Sequence, residues 1–425
     1  MKKNFLFLSY TDEGGAGKAN VNISKALLSE GHSVEFLVSK KTTNETFIKE
    51  INKNIEKKQV KKSIFERLIN KIINKFKRKK TNPIFDTKYC YYNIDESYSN
   101  ISLEDILKTV ENKPDIIIGG WISHFINLEN LGKTGEYFKA KVYVLMNDMA
   151  HLTGGCHYNW GCKGYENNCY PCPANSNISY LQSQKNLFIK KDSIERYNIE
   201  VIAGSKENIE EISNSFLFKK QNDIKLINGA IDFSLFNDKR RDIAKKAINI
   251  SDTQKVILSG AFYIPDPRKG FKELQKTLAL LNDILEEKSK KITFIVIGNN
   301  CIYNFKYKNI DFIHFEGIKH QTLYSLIHQA ADVYVSPSLE DTGPAIVIEA
   351  LACGTPVVGF EIGFVKNFIE DDYNGFKIHK DDFHTFAKKI YNILFDSDNE
   401  SLRKNAIETV KQSFSSNYIN KSFSS

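Results

Sequence analysis

The stretch SPSLEDTGPAIVIEALACGTPVVGF (336–360) holds the pattern that decides the fold. It begins where the apolar run DVYVSP (332–337) ends, passes through an acidic loop, and continues through a helical segment into a second apolar run, TPVVGF (355–360). Short apolar runs separated by helical segments are typical of buried parallel strands joined by crossover helices. The stretch therefore predicts one β-α-β unit of an α/β fold.

The same alternation continues along most of the chain and predicts two doubly wound Rossmann-like halves. The other apolar runs that we interpret as strands are DIIIGG (115–120), KVYVLMN (141–147), EVIAGS (200–205), KVILSGA (255–261), KITFIVIG (291–298) and DFIHFEG (311–317). We predict one domain over 1–230, a second over 231–400, and a helix within 401–425 that packs back on the first domain. Ligands of open α/β sheets bind beyond the carboxyl ends of the strands, so we expect the two domains to face a central cleft.

Length and composition exclude several classes of protein. The chain has 425 residues, of which 41% are hydrophobic and 26% charged, as in soluble globular proteins. No apolar run approaches the ~20 residues that span a bilayer, and the N-terminal NFLFL is too short for a signal peptide. We expect a cytoplasmic protein whose seven cysteines are reduced.

The net charge of +8 is concentrated in residues 57–80, which hold eleven Lys and Arg against one Glu. Apolar residues recur there at helical spacing and predict a basic amphipathic helix near 60–80. Two interpretations remain open. The helix binds an anionic membrane surface, or it packs on its own domain with the basic face in solvent. Nucleic acid is not expected as a partner, because the aromatic residues lie on the apolar stripe and not between the charges.

The glycine-rich stretch TDEGGAGKANVN (11–22) follows the apolar strand KNFLFLSY (3–10). It is not a P-loop, because Asp12 stands at the first glycine of that motif and Ala19 at its hydroxyl position. It is not a dinucleotide fingerprint either, because Asn20 stands at the third glycine. A strand, a glycine cluster and a helix in this order still direct backbone N–H groups at an anion. The alternative is a tight turn without a ligand.

Two carboxylates, Asp341 and Glu349, bracket the start of the helix predicted within 336–360. A helix N-terminus is a phosphate site, Glu349 can accept hydrogen bonds from both hydroxyls of a ribose, and Asp341 can reach sugar hydroxyls. The alternative role is helix capping, which commonly uses acidic residues.

This stretch resembles the acidic E-x7-E signature of retaining glycosyltransferases of family 4, which have the two-domain GT-B fold. Asp341 and Glu349 have that spacing, with Asp in place of the first Glu, and the neighbouring A-x-G-T-P-V-V is also typical. Residues 14–17 resemble the N-terminal glycine loop of the family, INGAID (227–232) resembles its N-G-I-D element, and residues 267–270 resemble its K-G element. The resemblance extends along nearly the whole chain.

The resemblance implies a nucleoside-diphosphate sugar as donor, a glycan or lipid-linked acceptor, and no catalytic metal. The implied donor-binding residues are Gly15, Ala16, Gly17, Arg268, Lys269, Thr342, Gly343 and Glu349. The implied catalytic residues are Asp341, Lys269 and Asp148. Lys269 would neutralise the departing diphosphate, and Asp341 would hold the donor sugar. Two positions depart from the family: Ala261 follows Gly260 where many members have Gly-Arg, and Asn147 precedes Asp148 where relatives often have His.

A cysteine-rich segment, DMAHLTGGCHYNWGCKGYENNCYPCPANS (148–176), follows a predicted strand. Its cysteines, separated by five, six and two residues, are Cys156, Cys162, Cys169 and Cys172. Four thiolates satisfy a tetrahedral structural zinc ion, with His157 as a substitute ligand. Reduced cysteines and local redox chemistry are the alternatives. The T-G-G-C-H-Y part also resembles a subgroup of these transferases linked to colanic-acid-type exopolysaccharide and O-antigen assembly.

We therefore expect a retaining glycosyltransferase that extends a surface glycan, and a peripheral position on the inner face of the membrane if the basic helix binds lipid. Two other functions remain open at this point. One is a sugar-nucleotide 2-epimerase, which has the same fold and needs no acceptor. The other is a zinc-stabilised binding protein without catalysis, which the departures at Asn147 and Ala261 would fit.

Overall fold

The structure is a computed structural model that describes residues 2–51, 86–92, 95–175, 181–396 and 399–423. The strands in these ranges form two separate sheets, and every pairing between neighbouring strands is parallel. The predicted basic helix near 60–80 lies outside the described residues.

In the part of the chain that the structure describes, the first sheet has seven strands in the order β3-β2-β1-β4-β5-β6-β7. These strands are β1 (Asn4–Thr11), β2 (Ser33–Lys40), β3 (Ile48–Glu50), β4 (Ile116–Gly119), β5 (Lys141–Leu145), β6 (Glu200–Ala203) and β7 (Lys225–Leu226). The helices between them are α1 (Gly14–Ser29), α2 (Leu103–Thr109), α3 (Leu128–Phe138), α4 (Gln182–Tyr197) and α5 (Lys206–Asn214). The strand order reverses between β1 and β4, which opens a crevice at their carboxyl ends.

The second sheet has the order β10-β9-β8-β11-β12-β13. Its strands are β8 (Lys255–Tyr263), β9 (Ile292–Asn299), β10 (Ile310–Phe315), β11 (Val333–Ser336), β12 (Val357–Phe360) and β13 (Gly375–Ile378). The helices of this half are α6 (Arg241–Ala247), α7 (Phe271–Glu287), α8 (Gln321–Ala330), α9 (Ala345–Ala352), α10 (Phe364–Phe368), α11 (Phe383–Phe395), α12 (Asn399–Ser413) and α13 (Ser416–Ser422). Here the order reverses between β8 and β11, so the second crevice lies at the carboxyl ends of these two strands.

The central strands are apolar because helices cover both faces of each sheet. In β1, Leu6 and Leu8 belong to one core cluster, and Phe5 and Phe7 belong to the cluster on the opposite face. Each such side chain contributes about 1.5–3 kcal/mol through burial. Two-sided burial explains why the strands are continuous apolar runs with no polar alternation. The apolar runs predicted as strands are strands in the structure, and the predicted α/β fold with two doubly wound sheets is confirmed.

The last helix, α13, packs on α1 of the first sheet. Asn420 Nδ2 donates a hydrogen bond to Glu30 Oε2 at 3.2 Å, and the Ser416 hydroxyl donates to the same carboxylate. The Phe423 ring packs edge-on against Phe5, with ring centroids 5.1 Å apart. The two halves are therefore connected at the C-terminal end of the chain as well as near residue 230. None of the described helices is long and apolar enough to cross a bilayer.

Candidate active site

The glycine loop forms the first turn of α1 at the carboxyl end of β1. Gly17 is buried, and a Cβ atom there would lie 2.7 Å from the Asp12 carbonyl carbon, so this glycine is needed for close packing of the helix on the strand end. Gly15 is exposed, and a Cβ atom there would meet nothing within 4 Å. Ala16 between them is half-buried. Backbone N–H groups at this helix start can therefore be approached by a ligand.

The Asp12 side chain holds the start of the glycine loop against Thr42 and Thr43. Its carboxylate accepts hydrogen bonds from the backbone N–H groups and the hydroxyls of Thr42 and Thr43, at 2.7–2.9 Å. Burial alone would raise the pKa of Asp12, but these four hydrogen bonds outweigh it and lower the pKa. The residue that breaks the P-loop pattern thus connects the glycine loop to the loop after β2.

The contrast between Gly17 and Gly15 gives a testable prediction. Gly17→Ala should lower the free energy of unfolding by about 1–3 kcal/mol, because the added methyl group overlaps backbone atoms. Gly15→Ala should change it by less than about 0.5 kcal/mol, because the position is open. Urea denaturation of the two variants and the wild type measures the difference. Equal effects of both substitutions would contradict this account of the loop.

The loops after β8 and β11 hold each other in place. Gly270 has a φ of +65°, and a Cβ atom there would lie 1.8 Å from the Pro337 carbonyl oxygen. The Leu339 N–H donates to the Arg268 carbonyl oxygen at 2.7 Å. Asp266 accepts a hydrogen bond from the Arg268 N–H at 3.0 Å, which caps the short turn that carries Arg268 and Lys269. The glycine of the K-G element is therefore required by the contact between these loops.

Lys269 and Asp341 form an ion pair in this contact, and both side chains are largely buried. Burial raises the pKa of Asp341, but Lys269 and Arg268 outweigh this effect and lower it. The Gly343 N–H also donates to Asp341 Oδ1 at 3.2 Å. The carboxylate is therefore held ionised beside two cations at the carboxyl end of the sheet.

Arg268 lies between the two domains. Its guanidinium stacks on the Tyr158 ring at 3.5 Å from the ring centroid and forms an ion pair with Asp266. Its Nε and Nη1 atoms are buried and have no hydrogen-bond partner among the described residues. Burial lowers the pKa of Arg268, while Tyr158, Asp341 and Asp266 outweigh it and raise the pKa. Two unused donors on a fixed cation are suited to an oxyanion ligand.

Thr342 and Gly343 precede α9, which carries Glu349. A Cβ atom at Gly343 would lie 2.5 Å from the Phe364 ring, so only glycine fits there, and Thr342 is half-buried. The Tyr324 hydroxyl donates to Glu349 Oε2 at 2.7 Å. Burial raises the pKa of Glu349, and the Tyr324 hydrogen bond and Lys18 partly offset this.

Lys18 reaches the same place from the first domain. Its ammonium lies 5.4 Å from the centroid of the Tyr324 ring, which belongs to the second domain. No sequence pattern assigns Lys18 to the site, because an exposed residue in the first turn of a helix is usually solvated. The contact shows that α1 and Glu349 face each other in the structure.

Asp148 belongs to a separate polar group at the carboxyl ends of β4 and β5. His157 Nδ1 donates to Asp148 Oδ2 at 2.7 Å, and Trp121 Nε1 donates to the same oxygen at 3.0 Å. Ser123 Oγ lies 3.0 Å from His157 Nε2. Burial raises the pKa of Asp148, and His157 outweighs it and lowers the pKa. Asn147, where relatives often have His, has its amide 3.4 Å from Asn20 Oδ1.

These residues adjoin a cavity of about 260 Å³ at the crevice of the first sheet. Its lining includes Tyr92, Trp121, Ser123, His124, Asn147, Asp148 and Lys190. The cavity is smaller than the ~300–1,000 Å³ pockets that take drug-sized ligands. A cavity of this size has room only for a small group such as a single sugar ring.

The structure does not support the predicted zinc site in the cysteine-rich segment. Among the residues that the structure describes, no three His, Cys, Asp or Glu side chains are arranged to hold a metal ion, and all four cysteines are free. Cys169 Sγ accepts from the Gly154 N–H and Cys162 Sγ from the Gly164 N–H, both at 3.4 Å. Burial raises the pKa of Cys169 to about 11.

The same segment connects the two domains. His157 contacts Asp148 in the first domain, while its neighbour Tyr158 stacks on Arg268 in the second. The Trp160 N–H donates to Glu340 Oε1 at 3.1 Å. The C-H-Y part of the segment thus brings the cavity and the cationic loop next to each other.

Two buried histidines make stability depend on pH. Burial lowers the pKa of His151 to about 4 and that of His328 to about 3. Because both values lie below the ~6.5 of an exposed histidine, the unfolded chain binds more protons below pH 6.5. Each histidine therefore stabilises the fold above that pH, and the contribution is lost as pH falls towards 4. Glu211 acts in the opposite direction, because burial raises its pKa to about 7.

Comparing variants with the wild type at each pH isolates the effect of the histidines on the free energy of unfolding, because Glu211 is present in every protein compared. Between pH 6.5 and 4 the wild type should lose about 3 kcal/mol more of its unfolding free energy than His328→Phe, which keeps an aromatic ring next to Phe236. His320→Asn, at an exposed histidine, should behave like the wild type. Denaturant unfolding at several pH values measures the three curves, and parallel curves for His328→Phe and wild type would contradict the prediction.

Comparison with known proteins agrees with this geometry. Residues 240–413 match the family model described as glycosyl transferases group 1. The matched residues include the whole of the second sheet. An uncharacterized glycosyltransferase of Methanocaldococcus jannaschii is 26% identical over 327 residues, which is 75% of this chain and 82% of the relative.

A second relative matches a shorter part of the chain. It is the N,N'-diacetylbacillosaminyl-diphospho-undecaprenol alpha-1,3-N-acetylgalactosaminyltransferase of Campylobacter jejuni, 26% identical over 148 residues, which is 34% of this chain and 36% of the relative. Among solved structures, Anabaena HepE in complex with UDP and glucose has a TM-score of 0.59 at 15% identity, over 99% of this chain and 97% of that one. The predicted GT-B fold is confirmed, and the findings support a glycosyltransferase.

The structure adds several residues around the candidate site that no sequence pattern predicts. Tyr324 and Tyr158 each contact a predicted donor residue, and Trp121 and Ser123 belong to the polar group around Asp148. No spacing pattern identifies them, because each lies far along the chain from its partner. The sequence indicates His157 only as a substitute metal ligand, and the structure places it against Asp148.

Proposed function

We propose that this protein is a retaining glycosyltransferase that transfers a sugar from a nucleoside diphosphate to the hydroxyl of a glycan acceptor. The observation that carries the proposal is the convergence of Lys269, Arg268, Asp341 and Glu349 at the carboxyl ends of the second sheet, facing the glycine loop of the first. A departing diphosphate concentrates negative charge, and fixed donors at that place are the largest single contribution to such catalysis.

Each residue has a role in the proposal. Lys269 and Arg268 bind the diphosphate, together with the N–H groups of Gly15, Ala16 and Gly17. Thr342 and Gly343 lie against the donor at the start of α9. Glu349 accepts the ribose hydroxyls, and Asp341 binds hydroxyls of the transferred sugar while it keeps Lys269 in place.

The bonds change as follows. The acceptor oxygen forms a bond to the anomeric carbon on the face from which the diphosphate departs, so the anomeric configuration is kept. The C–O bond to the diphosphate breaks with its electron pair, and a diphosphate oxygen takes the acceptor proton. The residues of this chain position both substrates and stabilise the charge on the leaving group, and no catalytic metal is proposed.

The acceptor side is proposed to be the crevice of the first sheet, where Asp148 lies. The name of the Campylobacter relative describes an undecaprenol-linked acceptor, and the T-G-G-C-H-Y segment resembles transferases of exopolysaccharide and O-antigen assembly. We therefore propose a lipid-linked surface glycan as acceptor and a peripheral membrane position. Vesicle co-sedimentation, with and without residues 57–80, tests that position.

A donor screen tests the function. The purified protein is incubated with UDP-, GDP-, ADP- and dTDP-linked sugars, and release of the nucleoside diphosphate is measured. Slow release with one donor class, accelerated by an acceptor and with the product in the donor's anomeric configuration, is the expected result. Interconversion of sugars without release would instead identify a 2-epimerase, and no reaction with any donor would favour a non-catalytic binding protein.

A further inference from the structure

His328, on α8, is a buried histidine whose ring nitrogens are both unpaired. Its side chain is fully enclosed, and neither Nδ1 nor Nε2 has a hydrogen-bond partner among the residues that the structure describes. A buried N–H without a partner loses its hydrogen bonds to water and gains none in return. An apolar side chain of similar shape would avoid that loss, so the imidazole at this position needs an explanation beyond packing.

The imidazole lies beside the carboxylate that we assign to the ribose. His328 Nε2 is 3.8 Å from Glu349 Oε2, which accepts the hydrogen bond from the Tyr324 hydroxyl. The rings of Tyr324 and Phe236 pack edge-on against the imidazole, with centroids 4.9 Å and 5.8 Å away. Of these neighbours, only the carboxylate can pair with Nε2, and it lies about 0.6 Å beyond the ~3.2 Å limit of an N–H···O hydrogen bond.

The surroundings of the ring favour a neutral imidazole. Burial lowers the pKa of His328 to about 3, and the Lys18 ammonium acts in the same direction. Burial raises the pKa of Glu349, and Tyr324 and Lys18 oppose that effect. A neutral imidazole has one N–H to donate, and an ionised carboxylate beside Nε2 favours the tautomer that carries the proton on Nε2.

The two oxygens of Glu349 have different surroundings. Oε2 accepts the hydrogen bond from Tyr324, and no hydrogen bond to Oε1 occurs within the described part of the chain. A carboxylate has about four acceptor positions, two on each oxygen. If Tyr324 and His328 both donate to Oε2, both positions of Oε1 remain for the two hydroxyls of a ribose. Two donors on one oxygen also prevent the carboxylate from rotating.

We propose that His328 is a positioning residue for Glu349: in the complex with a nucleoside diphosphate, its Nε2–H group donates to Oε2 and holds Oε1 towards the ribose hydroxyls. The proposal rests on the proposed function in one respect, the assignment of Glu349 to the ribose. It adds a residue that acts on the donor only through Glu349, because the enclosed imidazole has no surface from which to contact a ligand.

Three substitutions distinguish the two ring nitrogens. His328→Gln places an amide N–H near the position of Nε2, His328→Asn places one near that of Nδ1, and His328→Phe keeps a ring without either. The dissociation constants of UDP, GDP and ADP are measured with the full chain by isothermal titration calorimetry at neutral pH. The nucleotide that the wild type binds most tightly is then used for the variants.

We expect His328→Phe and His328→Asn to weaken binding about tenfold, the size of one lost hydrogen bond to a charged group. His328→Gln should stay within about threefold of the wild type. With a donor from the screen, KM should rise by the same factor and kcat should change less than about twofold, because the ribose is held equally before and during the reaction.

A double-mutant cycle separates positioning from a general packing effect. In the Glu349→Gln background, His328→Phe should change binding less than about twofold, because the carboxylate through which His328 acts is absent. At neutral pH His328→Phe should also unfold at no lower urea concentration than the wild type, because it removes an unpaired buried N–H. Equal weakening of binding in both backgrounds would overturn the proposal.

The tautomer of His328 gives a readout that does not depend on activity. NMR spectra of the protein labelled with ¹⁵N-histidine identify the protonated nitrogen, and the signals of His328 are those missing from His328→Phe. The Nε2–H tautomer is the expected result, and the Nδ1–H tautomer would overturn the proposal.

Failure of this proposal is distinct from failure of the proposed function. Nucleoside diphosphate release by the wild type, with wild-type affinity in His328→Phe, removes the positioning role alone. If no nucleotide binds and no donor releases its diphosphate, the proposed function fails, and the role of His328 in ribose binding fails with it.

Discussion

Lys269→Ala should reduce the turnover number for nucleoside diphosphate release about 10²- to 10³-fold. The ammonium is held by Asp341 at the end of a turn that cannot shift, because Gly270 is pressed against Pro337. A fixed cation of this kind stabilises the leaving diphosphate without reorganisation. Steady-state kinetics with the donor found in the screen measures the change, and the matched control is Lys272→Ala, at an exposed lysine at the start of α7.

A loss of turnover in this variant must be distinguished from a loss of folded protein. Loss of Lys269 leaves the Asp341 carboxylate buried without its ion-pair partner, which costs about 3–5 kcal/mol of stability in comparable buried pairs. The double variant Lys269→Ala/Asp341→Asn removes both charges, so it should regain most of the lost stability but remain inactive. Lys269→Arg, which keeps a cation, should retain more turnover than the alanine variant. Near-normal turnover of Lys269→Ala would remove Lys269 from the site.

Glu349→Gln should lower kcat/KM for the donor about 10²-fold. The substitution keeps the shape of the side chain and the hydrogen bond from Tyr324, but an amide has one acceptor oxygen for the two hydroxyls of a ribose. Loss of a charge-assisted hydrogen bond costs about 1.5–3 kcal/mol, which accounts for a reduction of this size. The matched control is Glu287→Gln, at an exposed glutamate at the end of α7.

A pH profile adds a second readout for Glu349. Burial raises the pKa of this carboxyl, and only its ionised form accepts both hydroxyls. Activity of the wild type should therefore rise with pH through that raised pKa, and the Glu349→Gln variant should lack this limb. A wild-type kcat/KM retained by the glutamine variant, or an unchanged pH profile, would contradict the assignment to the ribose.

Local patterns predict much of the fold and the residues that we propose for the donor side of the site. The apolar runs are strands because helices cover both faces of each sheet. Each run can be recognised from its own residues, without knowledge of the residues that it contacts. The spacing of Asp341 and Glu349 across a loop and a helix start is likewise local, and so is the turn that carries Arg268 and Lys269. Such features depend on residues within about two helical turns of each other, which a single sequence displays directly.

The zinc prediction is not supported by the structure, because no three ligand side chains among the described residues are arranged to hold a metal ion. Spacing along the chain brings cysteines into one segment but does not direct their sulfur atoms to one point. In the structure the thiols of Cys162 and Cys169 accept backbone hydrogen bonds. The segment instead serves as the contact between the domains through Tyr158 and Trp160.

Periodicity and neighbouring residues in the chain are enough to predict the two parallel sheets, the glycine loop at the end of β1 and the charged loops at the ends of β8 and β11. Which distant residues meet is visible only in the folded protein: Tyr158 on Arg268, His157 on Asp148, and Lys18 next to Tyr324. Those contacts depend on how one sheet's crevice packs against the other's. That packing depends on the shapes of two folded surfaces, so no spacing pattern along the sequence predicts it.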